Sequence, residues 1–326
     1  MLGGELQIRK FDQDMNMFRH IIDSKQHMGD HVVYNISDKF GSGTIKSYSV
    51  MSGVELTYND FEIYKPLSEK FKISVDSLEI NYCLEGCLES ELPNSKIVYM
   101  GGGDISIFGY STGVVLADFT TKHYKGLTIM LYLNEATKSI GNMLGVSEEE
   151  IKNMINSLFN SDTCIVNHGN QSLEHIFKEL YVIPDKFKDK FLKIKVVELL
   201  LYILSNSDYK TKEKTYFPKS FVDKIKEARR ILITNMDSHI TIKELSDMVG
   251  VNATDLQKGF KEIYQSSIYA YVKSYRMKKS KELLVKEDLS ISDVANLVGY
   301  INNSKFSNAF KSEFGMTPSE YRVSSR

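Results

Sequence analysis

The sequence predicts an α+β protein: an N-terminal antiparallel β-barrel with flanking helices, then an all-α C-terminal domain with two helix-turn-helix units. Three patterns predict this. Between residues 43 and 133, apolar and polar residues alternate in short runs separated by turn residues, the period of half-buried strands. From residue 134 the apolar period becomes helical. Near the C-terminus two stretches, 241–261 and 290–311, repeat each other at an offset of about 49 residues. At 326 residues the chain is too long for one small module. It reads as a domain over 1–205, a linker over 206–218 and a second domain over 219–326.

Residues 5–40 are polar with short apolar groups, such as Met17-Phe18 and Ile21-Ile22, and read as one or two peripheral helices. Nine short strands follow, at 44–51, 54–64, 71–75, 78–84, 87–92, 96–100, 104–108, 114–119 and 126–133, each rich in β-branched or aromatic residues. Glu85-Gly86 reads as a hairpin turn and Gly101-Gly102-Gly103-Asp104 as a tight turn. Such a series suggests a small barrel or a jelly roll. A barrel of this kind can hold a small molecule, and the strand aromatics Tyr48, Tyr58, Phe61, Tyr82, Phe108 and Phe119 are its candidate lining. The alternative for each is plain core packing.

The same strands argue against catalysis. Metal-binding barrels hold iron or manganese with two or three histidines and a carboxylate, and no histidine occurs between His31 and His123. Cys83 and Cys87 flank the hairpin turn, but two cysteines make an incomplete metal site and fit better as small hydrophobes. The expectation is no catalytic residue, no metal and no cofactor.

Helices are expected at 135–144, 147–159, 173–180 and 185–205, with Ser147 and Glu150 as a cap pair. Residues 191–204 are apolar almost all round, so that helix must be buried on more than one side. It packs wholly within its own chain or turns one face to a second protomer; with 147–159 it is the candidate dimer interface. The polar run ending at Pro218 reads as a linker, and 219–234 as the first helix of the C-terminal domain.

Within each repeat a hydroxyl is followed three residues on by a carboxylate, Thr241 by Glu244 and Ser290 by Asp293, the pattern of a capping box. Ile242, Leu245 and Val249 recur at helical spacing, as do Ile291, Val294 and Val298. Ser246 and Ala295 are small enough for a second helix to approach, and Gly250 and Gly299 sit at the turn. Leu256 and Phe260, or Phe306 and Phe310, anchor the second helix. Two such units in one domain suggest reading of two neighbouring stretches of DNA major groove.

Between the repeats stand Tyr271-Val272, Arg276-Met277, Ser280 and Leu283-Leu284, and the chain closes on Phe314-Gly315-Met316-Thr317-Pro318-Ser319-Glu320-Tyr321-Arg322. Over about the last 100 residues these resemble the AraC/XylS family of transcription regulators. Two positions depart from the family pattern. Gln265 stands where the family usually has glycine, and Gly259 lies inside the first recognition helix. An interior glycine costs about 1 kcal/mol relative to alanine, so the first unit reads as the less rigid of the two.

The resemblance implies a cupin-like sensor barrel, a homodimer, double-stranded DNA and RNA polymerase as partners, and a small-molecule effector. More narrowly, Gly43-Thr-Ile-Lys, Ser52-Gly-Val-Glu-Leu and Leu78-Glu-Ile-Asn-Tyr-Cys-Leu-Glu-Gly resemble the siderophore-responsive PchR-like subgroup. Matched to the family position by position, Thr254, Gln257, Lys258 and Lys261 face outward on the first recognition helix. Asn302, Asn303, Ser304, Lys305, Ser307, Asn308 and Lys311 take those places on the second. Asn and Gln suit adenine edges, and Lys suits phosphate or guanine. Arg276, Lys278, Lys279 and Lys281 on the linking helix are candidate phosphate contacts or its polar face, Arg276 matching a family position that often has a structural role.

Charge supports this division. Residues 217–326 carry 18 Lys+Arg against 13 Asp+Glu, a net of +5, and the remainder 23 against 29, a net of −6. The surplus of cations lies with the helix-turn-helix units, as phosphate neutralisation requires. Three cysteines without a CxxC pattern, no leader-like start and no long apolar run lead to the expectation of a cytoplasmic protein away from the membrane. The function expected is a ligand-responsive, sequence-specific transcription activator. The alternatives are a regulator whose barrel serves only for dimerisation and, more remotely, a cupin enzyme with a DNA-binding tail.

Overall fold

Antiparallel pairing builds the N-terminal half of the computed structural model, which describes residues 21–64, 76–91, 96–109, 116–158, 164–168, 171–205, 217–285 and 289–324. Its strands are β1 (Ile22–His27), β2 (His31–Ile36), β3 (Gly41–Met51), β4 (Val54–Ile63), β5 (Ser77–Glu85), β6 (Cys87–Glu91), β7 (Lys96–Gly101), β8 (Asp104–Gly109), β9 (Leu116–Phe119), β10 (His123–Tyr132), β11 (Cys164–His168) and β12 (Phe217–Pro218). They form an eight-stranded sheet, in the order β1-β2-β3-β4-β10-β5-β8-β11, and a four-stranded sheet, β12-β7-β6-β9.

The barrel expected from the strand pattern is not closed, because β1 and β11 are the two edges of the larger sheet. Period-two alternation assigns side chains to faces, but closure depends on strand tilt and stagger, which alternation does not encode. Residues 21–40 also differ from the expected helices. They form the β1–β2 hairpin, since Val32, Tyr34 and Ile36 alternate into the core. The rest of that helical expectation, residues 5–20, and the strand expected at 71–75 lie outside the described residues. So does 206–216 of the linker, whose last two residues pair with Ile97 and Lys96 as β12. Within the stretch read as all helical, Cys164–His168 returns as an edge strand beside β8.

Among the described residues four helices accompany the sheets: α1 (Leu133–Leu144), α2 (Glu148–Leu158), α3 (Gln171–Tyr181) and α4 (Lys188–Ser205). They cover one face of the larger sheet, where Leu56, Ile80 and Leu127 pack with Ile140, Phe177 and Val196. On the other face Ile45, Phe61 and Tyr124 meet Leu88 and Met100 of the smaller sheet. A buried polar chain crosses four strands of the larger sheet. Asn59 donates to Thr128 (3.0 Å), Thr128 to Asn81 (2.7 Å) and Asn81 to Ser106 (3.4 Å). Each buried group so satisfied fixes strand register as well as avoiding a desolvation cost.

The chain divides into two compact units, Met1–Pro218 and Lys219–Arg326. The second is helical: α5 (Lys219–Thr234), α6 (Ile242–Val249), α7 (Ala253–Tyr264), α8 (Ile268–Leu284), α9 (Ile291–Leu297), α10 (Asn303–Phe314) and α11 (Pro318–Ser324). Both capping boxes form. Thr241 Oγ1 accepts the Glu244 N–H at 3.2 Å and Ser290 Oγ accepts the Asp293 N–H at 3.0 Å, while each carboxylate accepts the cap residue's N–H. Ser246 and Ala295 are buried where the second helix of each unit approaches. No helix among the described residues is long and apolar enough to cross a membrane.

The two departures in the first unit have opposite physical meanings. A Cβ on Gly259 would lie 2.7 Å from the Phe221 ring and 3.2 Å from Ile225. The glycine therefore lets α7 seat directly on α5, and the site is tightly packed rather than loose, contrary to the expectation of a less rigid first unit. Gln265 closes α7 in the left-handed region at φ 53°, the conformation that glycine adopts without a steric penalty. Gly259→Ala is expected to lower stability by about 1–3 kcal/mol through overpacking, despite the gain in helix propensity. Gln265→Gly is expected to be neutral or to raise it by up to about 1 kcal/mol. Urea unfolding of the full chain measures both; stabilisation by Gly259→Ala would show that the close approach is not a constraint.

Candidate nucleic-acid interface

The two recognition helices start in the same way. Asn252 caps α7, its side-chain oxygen accepting the Asp255 N–H at 2.8 Å, and Asn302 caps α10 by accepting the Lys305 N–H at 3.0 Å. From these caps onward the repeat offset is 50 residues, one more than between the first helices, because the second turn holds the additional residue Ile301, which is fully exposed. The anchors Leu256 and Phe260, and Phe306 and Phe310, are all buried.

That offset pairs the outward faces residue for residue. Thr254, Gln257, Lys258 and Lys261 follow helical spacing along α7 and are exposed. Ser304, Ser307, Asn308 and Lys311 are their counterparts on α10, with Ser307 half-buried and the others exposed. Asn302, Asn303 and Lys305 lie at the start of α10 and are exposed too. Two of them already have work within the fold. Asn302 holds the cap, and Asn303 Nδ2 donates to Ser292 Oγ of α9 at 3.1 Å, tying the recognition helix to its supporting helix. The sequence pattern did not identify the capping roles of Asn252 and Asn302; their signal is an Asn just before each helix, weaker than the two capping boxes.

The linking helix α8 has 17 residues, about 26 Å at 1.5 Å each. It also locks the units together. Arg276 Nε donates to the Met236 carbonyl at 2.8 Å and its Nη2 to that of Ser238 at 2.9 Å. Arg276 thus has a structural role within the unit. Arg229 of α5 donates to the Tyr271 hydroxyl, a tie the sequence pattern did not reveal. Lys279 pairs with Glu282 at 2.7 Å, and Lys281 lies 5.3 Å from the Phe314 ring centre and 5.2 Å from that of Tyr321. Both cations have intrachain partners, which makes them weaker phosphate candidates than Lys258, Lys261 and Lys311.

The six aromatic candidates of the first unit do not share one cavity. Phe61 and Phe119 pack with Tyr124 between the sheets, at ring separations of 5.2–5.6 Å from Phe61. Burial drives the Tyr124 phenol well above its ordinary pKa, so it stays neutral. Tyr82 stacks on Phe177 beneath α3 at 4.6 Å, burial raising its phenol to about 12. Phe108 is buried with Val98, Cys164 and Val166. Tyr48 and Tyr58 line a cleft, of about 300 Å³, on the helix-covered face of the larger sheet. Cys83 and Cys87 are buried and are not joined in a disulfide. Among the described residues no three His, Cys, Asp or Glu side chains are grouped to hold a metal ion.

The helix-turn-helix domain family matches residues 245–324. The Msm operon regulatory protein of Streptococcus mutans is 28% identical over 165 residues, 51% of this chain and 55% of that protein. The lactose operon transcription activator of Staphylococcus xylosus is 29% identical over 181 residues, 55% of this chain and 57% of that one. The chain thus spans little more than half the length of these curated relatives. A crystal structure of a DNA-binding transcriptional dual regulator from Escherichia coli K-12 is 25% identical, covering 31% of this chain and 91% of that one at a TM-score of 0.30. The C-terminal unit, with its two capped helix-turn-helix units and its closing Phe-Gly-Met-Thr-Pro signature, is a helix-turn-helix domain of the AraC type, and its relatives are AraC/XylS-family regulators.

Proposed function

We propose that the chain is a sequence-specific transcription regulator that reads DNA with α7 and α10 and senses a small molecule with its N-terminal unit. The observation that carries the proposal is the pair of outward faces matched at an offset of 50, each polar and each set on a buried aromatic anchor. Two such helices, joined by a rigid helix of about 26 Å, suit successive major grooves about 34 Å apart on one face of the duplex, with modest DNA bending closing the difference. Gln257 and Asn308 supply amides for adenine edges, and Lys258, Lys261 and Lys311 neutralise phosphate or read guanine. Activation is the favoured sign of regulation, in keeping with the name of the Staphylococcus relative. Cytoplasmic action on double-stranded DNA together with RNA polymerase follows from the same reading, and catalysis has no part in it.

Dimerisation fits α4. Its inner side is buried through Leu192, Val196, Leu199, Leu200 and Ile203, yet Phe191, Ile194 and Leu201 remain 41–55% exposed. Positions 191, 194, 198, 201 and 205 repeat in steps of three and four, the spacing of a coiled-coil seam. Two copies of α4 laid together would cover this stripe.

Binding is tested by selecting duplexes from a random pool with the full chain and measuring affinity for the consensus. Asn308→Ala is expected to cost about 1–3 kcal/mol of discrimination at one base pair. Lys258→Ala is expected to weaken all duplexes alike and to lower the salt slope by about 1. Recovery of no consensus would refute sequence-specific reading. For the dimer, sedimentation of Leu201→Glu should show monomer where the unaltered chain shows dimer; an unaffected dimer would move the interface elsewhere.

A further inference from the structure

The cleft beside Tyr48 and Tyr58 has a chemistry of its own. Its floor is strand: Lys46 and Tyr48 on β3, Tyr58 and Asp60 on β4, Lys125 on β10. Its wall is the corner between α3 and α4, with Tyr181, Ile183 and Lys188. Tyr48, Tyr58 and Tyr181 form a continuous edge-to-face chain, each step 5.6 Å between ring centres. Such rings make a firm apolar wall for a small planar or cyclic body.

Three ammonium groups converge on this space against one carboxylate. Asp60 is already engaged by Lys125 at 2.9 Å and by His123 at 3.1 Å. Burial acts to raise its pKa, but its contacts with Lys125 and His123 outweigh it and hold the carboxyl below its ordinary value. Lys188 sits over the Tyr48 ring at 5.2 Å and reaches Asp185 outside the cleft at 3.4 Å. Burial acts to lower its pKa, and the Tyr48 and Asp185 contacts more than offset this, so it remains charged. Lys46 makes no ion pair among the described residues and is exposed at the rim. Tyr58 donates its hydroxyl to the Leu180 carbonyl at 2.7 Å, which ties the helical corner to the sheet and holds the cleft's shape. The lining therefore carries a positive excess next to aromatic surface, and an anion placed between Lys46 and Lys188 relieves the repulsion among the cations.

We propose that this cleft binds a small organic anion, its carboxylate or phosphate head between Lys46 and Lys188 and its body against Tyr48 and Tyr58. That such binding would regulate DNA binding rests on the sensor reading above. A cleft of about 300 Å³ lies at the small end of ligand pockets, which favours a single ring over a long chain.

Calorimetric titration of the full chain tests this with phenyl phosphate and cyclohexanecarboxylate, their neutral counterparts phenol and cyclohexylmethanol, and inorganic phosphate alone. At least one organic anion should bind saturably, at least tenfold more tightly than its neutral counterpart and than inorganic phosphate. Lys46→Ala and Lys188→Ala should each weaken it about tenfold, and Lys188→Arg should restore most of it. No saturable binding by either anion, or binding that survives both alanine variants, overturns the proposal. If binding holds but DNA affinity is the same with and without ligand, the site stands and the sensor reading fails.

Discussion

The Arg276 guanidinium, seated on the Met236 and Ser238 carbonyls, holds the DNA-reading unit in register. It leaves the linking helix α8, spans to the chain just past α5 and lies 6.0 Å from the Tyr300 ring in the second turn. The space it occupies exists because residue 299 is glycine: a Cβ there would fall 2.8 Å from the guanidinium and 2.6 Å from the Met236 carbonyl. At φ 79° the same position also favours glycine. One charged group hydrogen-bonded to two carbonyls thus connects the first helix, the linking helix and the second turn. Together with the Arg229–Tyr271 and Ser274–Glu313 hydrogen bonds, it adds directional polar ties to the apolar packing, which constrains distance better than rotation.

The first unit resolves a different problem, that of a sheet apolar on both faces. The larger sheet serves two cores at once, helices on one side and the smaller sheet on the other. The buried chain from Asn59 to Ser106 lies within this sheet and runs across β4, β10, β5 and β8. Polar groups committed in this way give specificity of pairing that an all-apolar sheet would lack. Tyr48 and Tyr58, by contrast, stand near the end of the helix-covered face, beside the charged cleft. The six aromatic candidates therefore divide by face and position along the strand, and both properties follow from strand pairing.

Much of the C-terminal unit was legible in the sequence because its signals are local. Thr241 with Glu244, Ser290 with Asp293, and the glycine of each turn act within a few residues, and the structure places them in those roles. Gln265 likewise takes the left-handed conformation of the glycine it replaces. Gly259 was misleading for the converse reason: its value lies in Phe221, 38 positions away in the chain, and propensity alone sees only the cost. The N-terminal half was legible as strands but not as sheets. Six-residue strands such as His31–Ile36 hide among polar neighbours, and edge strands such as Cys164–His168 are specified by their partner rather than by their own period. The cleft was half visible, since Tyr48 and Tyr58 stood out as aromatics while Lys46, Lys125 and Lys188 acquire meaning only when three separate segments meet.

The central claim is that α7 and α10 engage one duplex together, at a spacing set by α8. Hydroxyl-radical footprinting of the full chain on a selected duplex measures this directly. The account predicts, for each protomer, two protected stretches on one face of the duplex, separated by about one helical turn of 10–10.5 base pairs. A single protected stretch per protomer, or two on opposite faces, would contradict it.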